Sequence, residues 1–422
     1  MSSVVKLKKQ NLIFFFLSSL SCVGAFFAGK LGVETLSVVL LCFTAVLQTL
    51  WAQKKNLFHM TWMLGMYIFV FTPSMVLSYV GVYIDLYVYV ASIFLSGVAL
   101  FFSYGKLFRE RGGCLIHVKK KHAYLYFFFL LLTMVFSVAF GRVAFFVLYP
   151  FCAFLFSLII QGMPFRKGLF CLIALIGSVF VYINFVWTGF GRLLLAGWMI
   201  VPVIVFVYQY RLPFEKFSFL ITTSMASIFA SLLRFDGVSV LAIFSAVARD
   251  STTAPLRYAQ DVYHSFMTGA LGLDFSGIFD QFLLLVLGVF PREWWPGKPY
   301  GFGYEYTLQE LSPDLAEAGH SIAALFIGEH LYYLGPYLGF FSAFLAILLV
   351  VLIFNFFHSF GKKTVGGIYT VPASMWVMSF VWNGMATFSQ RFQQSVVIIV
   401  VVMFLIILRR RLKKLKRGVV AG

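Results

Sequence analysis

The chain has 422 residues, of which 61% are hydrophobic, 19% aromatic and only 11% charged, with a mean hydropathy of +0.92. A water-soluble domain cannot hide that much apolar surface, so the composition excludes an ordinary soluble enzyme and points to a chain whose solvent is lipid. The formal charge of +18 is gathered in short Lys/Arg clusters between apolar runs and at both ends, which is a membrane-topology signal and argues against nucleic acid as a partner.

In chain order, Lys6, Lys8 and Lys9 precede an apolar run from Asn11 to Gly29. The run is longer than a signal-peptide core and no small-residue cleavage site follows it, so a retained first helix is expected. Hydropathy and breaker residues then place spans near 11–29, 31–50, 59–79, 86–104, 123–140, 143–161, 168–187, 192–210, 214–233, 336–357, 368–388 and 395–409. The expected fold is an all-α polytopic membrane protein of about twelve transmembrane helices. Residues 1–233 carry the first nine spans, 234–335 form one large external loop, and 336–422 carry three more spans and a basic tail.

Alternating the loops across the bilayer puts 24 of the 33 Lys and Arg on one side. By the positive-inside rule that side is cytoplasmic, with both termini. Thirteen of the 15 acidic residues fall on the other side. His59 lies at an inner edge, and Glu34, Asp85, Arg142 and Arg192 lie at outer ends, where snorkelling to the headgroups accounts for them. The membrane interior therefore reads as scaffold, without the midplane carboxylates of proton-coupled transport or an inverted repeat of broken helices. Cys22, Cys42, Cys152 and Cys171 sit in apolar runs and Cys114 in a basic loop, with no CxxC pair, so neither a disulfide framework nor a zinc site is encoded.

The long external segment is a different kind of sequence. It holds five of the twelve prolines, most of the acids, and two apolar stretches, Val238 to Val247 and Gly277 to Phe290. Both are too short to span and are expected to form amphipathic or re-entrant helices against the membrane face. Cations collect here: Arg234, Arg249 and Arg257, then Arg292 and Lys298 inside Pro291-Arg292-Glu293-Trp294-Trp295-Pro296-Gly297-Lys298-Pro299, where three prolines forbid a regular helix. Arg391 belongs to a later external connection. A rigid turn backbone suits a fixed pair of cations, and the Arg fork matches phosphate oxygens. The plainer alternative is that Trp294 and Trp295 are interfacial belt residues and the cations meet lipid headgroups.

Pro291-Arg292, Trp295-Pro296 and Lys298-Pro299 in one short external segment resemble the bacterial O-antigen polymerase family, the oligosaccharide repeat-unit polymerases of surface polysaccharide pathways. Gly328-Glu329, Tyr332 or Tyr333, Gly335 and Gly339 resemble a second stretch of that family, with His330 as a departure from its pattern. The resemblance covers roughly residues 291–340. It implies glycosyl transfer on the outer face of the inner membrane between undecaprenyl-diphosphate-linked oligosaccharides, with membrane lipid and a chain-length regulator protein as partners.

Such a reaction needs diphosphate binding, for which Arg234, Arg249, Arg257, Arg292, Lys298 and Arg391 are the candidates. It also needs a proton acceptor, for which His320, Glu293, Asp236 and Glu329 are the candidates. Trp294, Trp295 and Tyr304, with Tyr300 and Tyr306, offer flat faces to a pyranose. No DxD pair or His/Cys cluster calls for a metal, and no cofactor is implied. The related O-antigen ligase shares this plan, and a lipid-linked oligosaccharide flippase is the rival from another class, though a flippase would be expected to keep its cations inside the helices.

Overall fold

The computed structural model describes residues 2–53, 57–79, 85–103, 128, 132, 155–156, 159–160, 163–185, 206, 210, 253–288, 290, 292–317, 320–364, 376–389, 392–393, 396 and 404. Among these residues the chain is helical and contains no strand. Among the described residues three helices are long and apolar enough to cross a membrane: Gln10–Lys30, Glu34–Ala52 and Leu325–Phe356. Phe16, Phe27 and Val38 turn more than half of their surface outward along the first two. That is the arrangement expected of a surface that meets lipid rather than water.

Helices α1 (Ser2–Lys30) and α2 (Glu34–Gln53) form an antiparallel pair. Small polar residues tie them: the Ser21 hydroxyl donates to Leu40 O at 2.9 Å and the Ser37 hydroxyl to Ala25 O at 2.8 Å. Gln48 Nε2 bridges Ser18 Oγ at 3.0 Å and Ile93 O at 2.8 Å. Without a hydrophobic drive between helices in lipid, such bonds and close packing supply the association. Next come α3 (Leu57–Met66), a π-helical turn over Tyr67–Phe71, α4 (Thr72–Tyr79) and α5 (Leu86–Phe102), followed further along the chain by α6 (Phe165–Phe185).

Asp85, expected to snorkel at an outer end, instead caps α5. Its Oδ1 accepts from Tyr87 N at 2.8 Å, and Oδ2 lies 3.7 Å from His264 Nε2. Buried His59 is held between Leu100 O and the Ser103 hydroxyl, each at 3.0 Å from Nε2.

The later part contains α7 (Ala254–Met267), α8 (Phe275–Leu287), α9 (Phe302–Tyr306) with a π-helical turn over Thr307–Leu311, α10 (Pro313–Glu317), α11 (Leu325–Thr364) and α12 (376–389). The stretch expected to form a short helix from Gly277 to Phe290 is α8. Its 13 residues reach about 20 Å, less than the roughly 30 Å of a bilayer core. The companion stretch, 238–247, lies outside the described residues, as do the expected spans near 192–210, 214–233 and 395–409 except for isolated positions.

Proline at 336 marks a span start in the sequence, and a helical limb begins there: α11 breaks at Gly335, whose φ of 68° and ψ of −171° leave the helix, and a first limb from Leu325 precedes the break. The kink is fixed by packing. A Cβ at 335 would fall 2.3 Å from the Phe266 ring of α7, so only glycine fits. Tyr87 on α5 donates its hydroxyl to Pro336 O, the carbonyl beside the break. The first limb of α11 runs along α7, where Gly328 lies close to Ala259.

Candidate functional site

The motif segment is anchored by α8. Asp274 caps the N-terminus, its Oδ1 accepting from Gly277 N at 3.0 Å and from the Ser276 hydroxyl at 2.6 Å, and Asp274 N donates to Tyr333 O of α11 at 2.7 Å. At the other end Lys298 Nζ donates to Gly288 O at 2.6 Å and Phe290 O at 2.9 Å, and Gln393 Nε2 donates to Leu284 O and Leu285 O at 2.7 and 3.0 Å. A cation suits the negative end of the helix dipole, and these donors gather on carbonyls at and just past the end of α8, Leu284 O also accepting from Gly288 N.

Residues 292–300 are turns, as the prolines require. Arg292 staples them: Nη1 donates to Lys298 O at 2.6 Å and Nη2 to Pro299 O at 3.1 Å, and the guanidinium lies 3.9 Å over the Tyr300 ring. Tyr300 also stacks on Tyr304, with centroids 4.5 Å apart. Two groups that close cannot share a face, so the guanidinium and Tyr304 lie on opposite faces of Tyr300, which is still 44% exposed, while Tyr304 is half-buried.

Among the described residues no carboxylate pairs with Arg292 or Lys298. Burial and the neighbouring Arg292 hold the Lys298 ammonium below its usual range. Two like charges held by carbonyl oxygens, without an acid to neutralise them, are what a phosphate-bearing ligand needs.

Beside the ladder runs a second network. The Tyr333 hydroxyl donates to Glu305 Oε2 at 2.6 Å and accepts from Gln281 Nε2 at 3.1 Å. Gln281 also donates to Tyr300 O at 3.2 Å, and its Oε1 accepts from Phe302 N at 3.0 Å. Gln309 Nε2 reaches Glu305 Oε1 at 3.4 Å, and Gln309 Oε1 accepts from the Tyr332 hydroxyl at 2.8 Å. Burial raises the Glu305 carboxyl above the usual carboxylate range, and the nearby charges of Asp274 and Asp280 add to the rise.

Glu329 occupies a third, interior position. It is 0% exposed, and its carboxylate accepts from the backbone N–H groups of Met385 and Ala386 of α12, just past Gly384 at φ 67°. Its neighbour His330 is equally buried, with Nδ1 2.9 Å from the Ser342 hydroxyl and Nε2 3.5 Å from Glu329 Oε1. The interior is thus not pure scaffold: a carboxylate sits inside the apolar stretch Leu325–Phe356, at the break of another helix.

Of the residues singled out in the sequence, the fold brings Arg292, Lys298 and Tyr304 into one cluster. Glu293 and Trp294 project from the same turns, Trp294 with 77% of its surface exposed, and Trp295 is half-buried. His320 is exposed, two residues before Ile322, whose N–H donates to Gly303 O at the start of α9. Arg257 lies on the exposed side of α7, where burial raises the Asp261 carboxyl and the Arg257 charge opposes that rise. Arg234, Asp236, Arg249 and Arg391 lie outside the described residues. Glu305, Gln281 and Gln393 went unnoticed in the sequence; the one trace was the spacing of Glu305 and Gln309, which share a helix face.

No protein-family model, curated protein or solved structure matches this chain. Its own helices are those of a membrane protein, with a cation and tyrosine cluster built on the non-spanning helices α8 and α9.

Proposed function

We propose that the chain is a membrane glycosyltransferase that polymerises undecaprenyl-diphosphate-linked oligosaccharide repeat units into surface polysaccharide. It lies in the bacterial inner membrane through about twelve spans, both termini cytoplasmic, and works on the outer face. The observation that carries this reading is the pair Arg292 and Lys298, fixed by carbonyl oxygens, lacking a carboxylate among the described residues, and abutting the Tyr300–Tyr304 stack. Cations of this kind fit a diphosphate, and a partly exposed pair of stacked tyrosines beside them fits a sugar.

In the reaction the acceptor hydroxyl oxygen attacks the anomeric carbon of the growing chain. The bond from that carbon to the diphosphate oxygen breaks, and the diphosphate leaves with the electron pair while the hydroxyl proton passes to a base. Arg292 and Lys298 stabilise the charge that develops on the leaving group. Tyr304 and Trp294 seat the sugars, and His320 and Glu293 are exposed bases within the same region.

The test is the lipopolysaccharide gel pattern of a deletion strain. Core carrying a single repeat is the expected result. Unsubstituted core with polymer retained on its lipid carrier would assign the ligase, and unsubstituted core without exported polymer the flippase; either would overturn the polymerase.

A further inference from the structure

We propose that Glu305, held between Tyr333 and Gln309 and adjacent in the chain to Tyr304, is the catalytic base that takes the proton of the acceptor hydroxyl. The assignment rests on the polymerase reading and adds to it a residue the motif does not contain.

Geometry carries it first. Gln281 Nε2 donates to the Tyr333 oxygen, so the Tyr333 proton must point at Glu305 Oε2, and Gln309 fixes the second oxygen. Each carboxylate oxygen thus has one partner and one lone pair left, and the residue is half-buried rather than sealed. Glu329, by contrast, is fully buried against two backbone amides and cannot reach a substrate as it sits. Helix register carries it next. Tyr304 precedes Glu305 on the same turn and is the last ring of the ladder that begins at Arg292. The ladder thus runs from the cations at Arg292 to Tyr304, the chain neighbour of Glu305, with base and cations at its two ends.

The charges around Glu305 agree. Asp274 and Asp280 face it from α8, Tyr332 and Tyr333 from α11, and Glu310 follows on its own element. Among the described residues no Lys or Arg pairs with it. Its carboxyl is raised by burial, which brings it nearer the working range of a base. In the step, the proton moves from the acceptor hydroxyl to a Glu305 oxygen as the new glycosidic bond forms and the diphosphate departs. Glu305 then releases the proton to water.

The experiment uses the deletion strain complemented with variants, and membrane vesicles from those strains charged with their own lipid-linked repeat units. Glu305→Gln keeps the length and one of the two accepted hydrogen bonds but cannot take a proton, and should lose polymerisation by on the order of 10²–10⁴-fold. Wild-type activity should fall as pH drops through the raised Glu305 pKa, and any residual Glu305→Gln activity should lack that fall. Tyr333→Phe removes a bond that stabilises the carboxylate, so the acid limb should move to higher pH. If Glu305→Gln does not reach the membrane, the Tyr333→Phe shift decides: a moved limb supports the assignment and an unmoved one overturns it. A normal ladder from Glu305→Gln at normal abundance overturns it too, as does loss confined to His320→Ala. A ladder in the uncomplemented deletion strain would instead sink the polymerase reading itself.

Discussion

The carboxylate of Glu329 fills the space that a side chain at residue 384 would need: a Cβ built on Gly384 falls 2.5 Å from the Glu329 carboxyl carbon. Gly384 also has φ 67°, which only glycine adopts freely, and the break it makes in α12 frees the Met385 and Ala386 amides for that carboxylate. One interaction thus joins the first limb of α11 to α12, and the same chain direction leads through Gln393 to the end of α8.

Gly384→Ala should therefore lower the yield of folded protein more than a glycine-to-alanine change at Gly177, which has nothing within 4 Å. Glu329→Gln offers one oxygen to two amides, and leaving one buried N–H unpaired costs about 1–3 kcal/mol. The melting temperature in detergent reads both. A Gly384→Ala protein as stable as wild type would remove the clamp.

Arg292→Lys keeps the charge but loses the fork that spans Lys298 O and Pro299 O and the stack on Tyr300. Partial polymer is expected from Lys and none from Ala, with the same order at Arg391. The ladder on a lipopolysaccharide gel measures it, and full polymer from both Ala variants at normal abundance would take these arginines out of the site.

Topology is tested at Ser276, an exposed residue in the first turn of α8. A cysteine placed there should react with an impermeant maleimide in cells whose inner membrane is intact, and one placed after Arg409 should not. The reverse pattern would place α8 in the cytoplasm.

The Asp274 cap gives a pH dependence of known sign. Its carboxyl is held below the usual range by the Ser276 hydroxyl and then by the Gly277 amide. A lowered folded pKa means that the stabilisation is present above the unfolded value and is lost as pH falls through the folded one. Asp274→Ala should cost about 1 kcal/mol and speed hydrogen exchange in α8. Asp274→Asn should keep the cap and lose the acid sensitivity. Exchange in the wild type that stays constant into strong acid would contradict the cap.

The sequence alone determined that the chain is helical and apolar enough for lipid, and that residues 291–299 cannot be helix. Those properties follow from composition, run length and proline chemistry, which act locally. It also marked Arg292 and Lys298, because cations spaced among prolines stand out in an apolar chain. Only the tertiary structure decided what those cations touch, since Lys298 reaches ten residues back to Gly288 O. It alone added the limb of α11 from Leu325 that precedes the expected start at Pro336, with a break at Gly335 where the Phe266 ring of α7 leaves no room for a Cβ. Glu329 reads in the sequence as an external acid, yet its partners are amides 56 and 57 residues away. Glu305 is one acid among many in the sequence, until Gln281 and Tyr333, 52 residues apart, meet beside it. Backbone amides and distant side chains leave no mark in local periodicity, so contacts of that span are set by packing alone.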